Sequence, residues 1–326
     1  MTPVQPLKVI TRFRDGRIRA YVMDSGVFGA LDPAAVFQPR SGDEVVESVV
    51  RPGLEQVVYT TLNSVVCLTR AGDLMWTSDF EPYSDERSWH RPGCALSRDG
   101  RTVWVYRPDV MAGRQSAVDQ WVVHDAESGA VLVRHELKTV GHGARHHVHP
   151  VDGSLYLDID EGQDGSVILR GAARATGEVE FMTYPWQDRY LIDLSPDGQQ
   201  FMTVDHGQAD VTFHHHFSGA VLFTLPVEAF GYHAEGTFVE WSGGYLTPDL
   251  AVVTLGGEGP DGQEWFRYHL IDVHTGTLSG EIAVEVTNPY ELVPLGDGSW
   301  LTDGPDGNPL RWTGTPLPPR PPHPKS

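Results

Sequence analysis

Apolar residues along this chain come in short runs, cut by polar turns at a nearly regular interval. Five turns carry the punctuation most clearly: Ser97-Arg98-Asp99-Gly100, Val151-Asp152-Gly153, Ser195-Pro196-Asp197-Gly198, Ser242-Gly243-Gly244 and Gly296-Asp297-Gly298. Short apolar runs bounded by such residues read as β-strands, because Gly supplies positive φ and Pro presets the first turn position. The turns recur every ~45 to 53 residues, the length of a four-stranded unit. Two weaker units turn at Asp15-Gly16 and near Gly53-Leu54 and bring the count to seven.

A second tight turn recurs behind the first, in Asp125-Ala126-Glu127-Ser128-Gly129, Asp272-Val273-His274-Thr275-Gly276 and His216-Phe217-Ser218-Gly219, each followed by another apolar run. With these two turns the chain resembles the WD40-like, YVTN-like and quinoprotein-like β-propellers. Their blades carry Ser-Pro-Asp-Gly between the first two strands and Asp-x-x-Thr-Gly between the last two. The resemblance is generic and implies a fold without an activity. The Gly-His and Trp-Asp dipeptides of true WD40 blades are missing. So are a Gly-rich nucleotide loop, a Gly-x-Ser-x-Gly elbow and a Cys-x-x-Cys pair.

The expectation is an all-β, seven-bladed propeller, with six blades and an irregular N-terminal segment as the alternative count. A single blade cannot bury both of its faces, so blades stack and the ring must close. The C-terminal tail is too rich in proline to supply a ladder strand, which leaves the N-terminal run Leu7 to Phe13 to close the ring. Residues 1–314 then form one domain and 315–326 an exposed polyproline-like tail.

Composition narrows the partners. The formal charge is −20, from 44 acidic and 24 basic residues, and such a field repels phosphate backbones and anionic membranes. The partner expected is therefore a protein, a peptide or a small molecule. The two cysteines, Cys67 and Cys94, lie in apolar runs and read as buried thiols. No apolar stretch is long enough to span a membrane and no secretion signal is recognisable, so a cytoplasmic protein is expected.

Chemistry is expected on the long loops, which alternate with the short repeated turns. Candidate binding residues there are Trp89, Arg91, Arg145, Trp186, Arg189, Tyr232 and Tyr290; aromatics and Arg are the usual anchors of an interface. Candidate catalytic residues are His90, His146, His233, Glu235 and Glu291, since imidazole titrates near neutral pH and a carboxylate can orient it. The 15 histidines are grouped. His147 and His149 share one strand face at a spacing of about 6.7 Å and form a candidate chelating pair for Zn²⁺. The acidic loop Asp158 to Gly165 is a candidate for Ca²⁺, although it lacks the EF-hand ligand pattern. His214-His215-His216, His124 and His274 align with the second turn and are expected to be solvated. Two functions fit this picture: a scaffold that binds a ligand or partner on the long-loop face, or a lyase, hydrolase or cyclase using a His/Glu constellation with or without a divalent metal.

Overall fold

The computed structural model describes residues 8–314 except 24–25, 87–90, 115–117, 175–177, 187, 260–261, 285 and 287. These residues form seven antiparallel sheets, the blades of a β-propeller. Blade 1 has three strands, Val9–Arg14, Arg17–Val22 and Ala35–Phe37. Four-stranded blades 2 to 4 begin at Glu47–Val50, Gly93–Leu96 and Gly143–Val148, and blades 5 to 7 at Arg189–Leu194, Thr237–Tyr245 and Val293–Pro294. The chain divides into two compact units, one holding blades 1 to 4 and the other blades 5 to 7 with residues 26–31.

Burial explains the strand patterns. Middle strands such as Ser64–Thr69 are covered on both faces and read as continuous apolar runs, whereas last strands such as Val221–Pro226 alternate and stay half exposed. Both cysteines are free and buried, as expected.

The repeated turns are built by one device. In Ser195-Pro196-Asp197-Gly198 the Ser195 hydroxyl donates to Asp197 Oδ1 at 2.6 Å, and that oxygen accepts the Gln199 amide at 3.0 Å. Gly198 takes φ 70°, a left-handed conformation in which Gly is favoured. Ser97 and Asp99 repeat the arrangement.

The structure corrects three expectations. Gly243 and Gly244 lie inside the strand Thr237–Tyr245, and the turn falls after it, where Leu250 N bonds Thr247. A Cβ on Gly243 would stand 2.3 Å from Val252 O, so these glycines permit close backbone approach. The fourth strand of blade 7 comes from Gly29–Ala30, paired with Leu310 and Arg311. Val9–Arg14 instead opens blade 1, because the two-residue Asp15-Gly16 turn folds it directly onto Arg17–Val22; Leu7 lies outside the described residues. Finally, His124 and His214 are buried. Each occupies the same position beside a β-bulge, with Nδ1 3.1 Å from the carbonyl of Gly129 or Gly219 and its ring stacked on Trp76 or Phe201.

Candidate functional site in the first unit

Within the first unit the opening strands of successive blades lie side by side. Thr11 Oγ1 donates to Ser48 O at 2.7 Å, Cys94 N to Glu47 Oε2 at 2.8 Å, and Arg91 N to His142 O at 3.0 Å. Three of these strands bring Glu47, Gly93 and the segment Arg145-His146-His147 together.

Gly93 makes the room. A Cβ there would stand 2.7 Å from Glu47 Oε2, 3.3 Å from Ala144 O and 3.3 Å from His146 Nδ1. Any side chain would occupy the space that the carboxylate and the imidazole flank. Burial pushes the Glu47 pKa up to about 7, against the Cys94 amide and the Arg145 charge, which both favour the anion. Glu47 is therefore divided between acid and carboxylate at neutral pH.

His146 is fixed by its other nitrogen. Trp121 Nε1 donates to His146 Nε2 at 3.2 Å, which leaves the proton of the neutral ring on Nδ1. Burial and the neighbouring His147 lower its pKa to about 3, so the ring is neutral at physiological pH. Nδ1 is shielded from solvent and has no hydrogen-bond partner among the described residues. His146 thus offers a hydrogen-bond donor toward Gly93 and Glu47. It is a poor general base, because its basic nitrogen is held by Trp121. His147 is held near pKa 4 by burial, then by Arg145 and Lys8, and its Nε2 is likewise buried, with no hydrogen-bond partner among the described residues. Arg91 and Arg145 are exposed and form no ion pair with a described residue.

Of the other expected residues, Trp89 and His90 lie outside the described residues. Tyr232 is core: it is 7% exposed, stacks on Trp265 at 5.4 Å, and its hydroxyl accepts from Arg267 at 2.9 Å. Arg189 is spent inside blade 5, donating to Thr203 Oγ1 at 2.8 Å and to Asp210 Oδ1 at 2.6 Å. Neither is an available anchor, because strand packing already uses the group that recognition needs. Trp186 is half-buried and stacks on Tyr184 at 5.1 Å, while Tyr290 is exposed. His233 and Glu235 sit exposed on one loop of the second unit, with no hydrogen bond or ion pair between them; Glu291 is half-buried in that unit. His149 is buried, and His147 belongs to no group of three clustered metal-ligating side chains among the described residues. In the acidic loop, Asp160 Oδ1 caps Gly162 N and Asp158 accepts from Ser166, so both carboxylates have local partners.

Sequence reasoning missed Glu47 and Gly93. The available signal was a carboxylate opening the otherwise apolar run Glu47-Ser48-Val49-Val50, a strand position where burial raises the cost of charge.

No family model and no curated protein matches the chain. Among solved structures, the WD40 domain of Neurospora crassa Pan2 is 11% identical with a TM-score of 0.57, covering 96% of this chain and 88% of that one. BamB from Moraxella catarrhalis is 14% identical with a TM-score of 0.52, covering 96% and 83%. The dihydro-heme d1 dehydrogenase NirN, solved in complex with DHE, is 14% identical with a TM-score of 0.53; the match covers 92% of this chain and 58% of NirN. Likeness at this level shows a shared propeller fold.

Proposed function

We propose that this propeller is a binding module whose first unit receives an anionic group, such as the carboxylate of a small molecule or of an acidic peptide. The observation that carries the reading is the unpaired His146 Nδ1 donor beside Glu47 over Gly93, with the free Arg145 charge close enough to act on Glu47. A guanidinium can grip a carboxylate through two parallel hydrogen bonds, and the neutral imidazole can add a third donor.

Glu47 makes the site pH-sensitive. An incoming anion is repelled by ionised Glu47 and tolerated by the protonated acid, so binding takes up a proton when it occurs above pH 7. Affinity should then fall as pH rises from 7 to 9. Calorimetric titration with succinate, glutarate and an Asp/Glu-rich peptide tests the reading. Saturable binding that Arg145→Ala and His146→Ala each weaken at least tenfold supports it. Absence of binding across the series, or binding indifferent to both substitutions, refutes it.

The enzyme reading has one observation in its favour, a buried carboxyl whose pKa is lifted to about 7. His146 does not supply its partner base, for the reasons given above. A metal-assisted form would need ligands beyond His147 and His149.

A further inference from the structure

The second unit contains a separate polar cluster. Glu240 stands on the first strand of blade 6 within the run Phe238-Val239-Glu240-Trp241, and it is only 6% exposed. It forms no hydrogen bond or ion pair with a described residue. It lies over another strand glycine: a Cβ on Gly256 would be 2.5 Å from Glu240 Oε1 and 2.7 Å from Phe238 Cε2. Two hydroxyls close by are also buried and have no hydrogen-bond partner among the described residues, Thr254 Oγ1 at 0% residue exposure and Tyr268 Oη at 1%. Thr254 and Tyr268 are register partners on neighbouring strands, and the charge of Glu240 acts on Tyr268.

A cleft opens beside this cluster. It is lined by Gln263, Glu264, Trp265, Phe266, Val284 and Val286. Phe266 is the register partner of Gly256, so the cleft and the buried carboxylate share one part of the blade. The lining includes a carboxylate and two aromatic rings and no basic side chain. Arg267, the nearest cation along the strand, is engaged with Tyr232.

We propose that this cleft binds an organic ammonium group, held by Glu240 and Glu264 against the ring of Phe266 with Trp265 at the rim. The chemistry selects the cation. An ammonium would neutralise the Glu240 and Glu264 carboxylates, which act on each other, and lie against an aromatic face. An anion would meet Glu240, Glu264 and the charge of Glu291, which also acts on Tyr268. The acidic field of the whole chain steers cations toward the site.

Titratable groups around Glu240 set the pH response. Glu264 and burial both favour its protonated form, with a pKa near 7; burial weighs more. Tyr268 is held protonated by burial and the adjacent acids. His269 and Glu281, 3.6 Å apart, are also buried in blade 6, and burial holds the imidazole near pKa 4. Glu240 therefore changes charge between pH 5 and 8, and ammonium binding should strengthen across that interval.

The test is calorimetric titration of the full chain with n-butylammonium chloride at constant ionic strength. Saturable one-site binding at pH 8 is expected, at least tenfold weaker at pH 5 and in Glu240→Gln and Glu264→Gln. Glu264 is exposed, so its variant probes charge without disturbing the core. Arg145→Ala should bind butylammonium normally, which separates this site from the anion site. Nα-acetyl-lysine amide binding as tightly as butylammonium assigns the cleft to lysine side chains, and weaker binding assigns it to free amines. No saturable heat, binding unaltered in both Gln variants, or equal competition by potassium chloride would overturn the proposal.

Discussion

Glu47 in the first unit and Glu240 in the second occupy matching settings. Each stands on the opening strand of a blade, each lies over a glycine of a neighbouring strand, and burial lifts each pKa to about 7. Their surroundings differ. Glu47 accepts a backbone hydrogen bond from Cys94 and feels Arg145, whereas Glu240 has no hydrogen-bonding partner among the described residues and feels a second acid. Under the two proposals one structural device, a glutamate over a glycine, serves an anion in one place and a cation in the other. What surrounds the carboxylate would then set recognition, and the blade would supply only its position.

Substitution of the two carboxylates should separate the settings most sharply. Glu240→Gln removes an ionisable group that the folded state keeps protonated up to about pH 7. Between the unfolded pKa, roughly 4.5, and the folded value near 7, the unfolded chain is ionised while the folded one is not, so wild-type stability falls as pH rises. The variant should be more stable by about 3 kcal/mol at pH 8 and equal to wild type below pH 4.5, as read by urea denaturation. Glu47→Gln should follow the same pH course with a similar gain, because its pKa is lifted to about the same value.

Filling the cradles comes next in size. Gly256→Ala and Gly93→Ala should each cost about 1–3 kcal/mol in the same assay, since each Cβ meets a carboxylate oxygen below 3.0 Å. Gly93→Ala should also abolish succinate binding while leaving butylammonium binding intact. Trp121→Phe deletes the hydrogen bond to His146 Nε2 and also leaves a cavity at a fully buried position, at a combined cost of about 2–3 kcal/mol. Freed Nε2 should then protonate at higher pH, visible in the imidazole resonances. Arg145→Ala should leave the melting temperature unchanged, because the side chain is exposed and unpaired, yet remove anion binding.

The blades were legible in the sequence because each depends on local chemistry. Ser195-Pro196-Asp197-Gly198 closes its own hydrogen bonds within the turn, so the residues announce the geometry. Where distant contacts decide, the reading went astray. Gly243-Gly244 has the composition of a turn and serves instead the approach of Val252. The partner of Leu310 and Arg311 is a two-residue strand some 280 residues earlier, too short to leave a pattern. Tyr232 and Arg189 have the residue types of interface anchors, but only Arg267 and Asp210, placed by the fold, show that their polar ends are occupied. Arg145 and His146 were found by their types and neighbours. Their companion Glu47 was not, because it reaches them from two blades away.

The sharpest single check is the titration of Glu47 itself, followed through its carboxyl carbon by NMR and assigned by its disappearance in Glu47→Gln. A titration centred near pH 7 that moves upward when succinate is added would show a buried acid coupled to an anion site. A midpoint in the ordinary carboxylate range, or one that succinate leaves in place, would remove the basis for the proposed function.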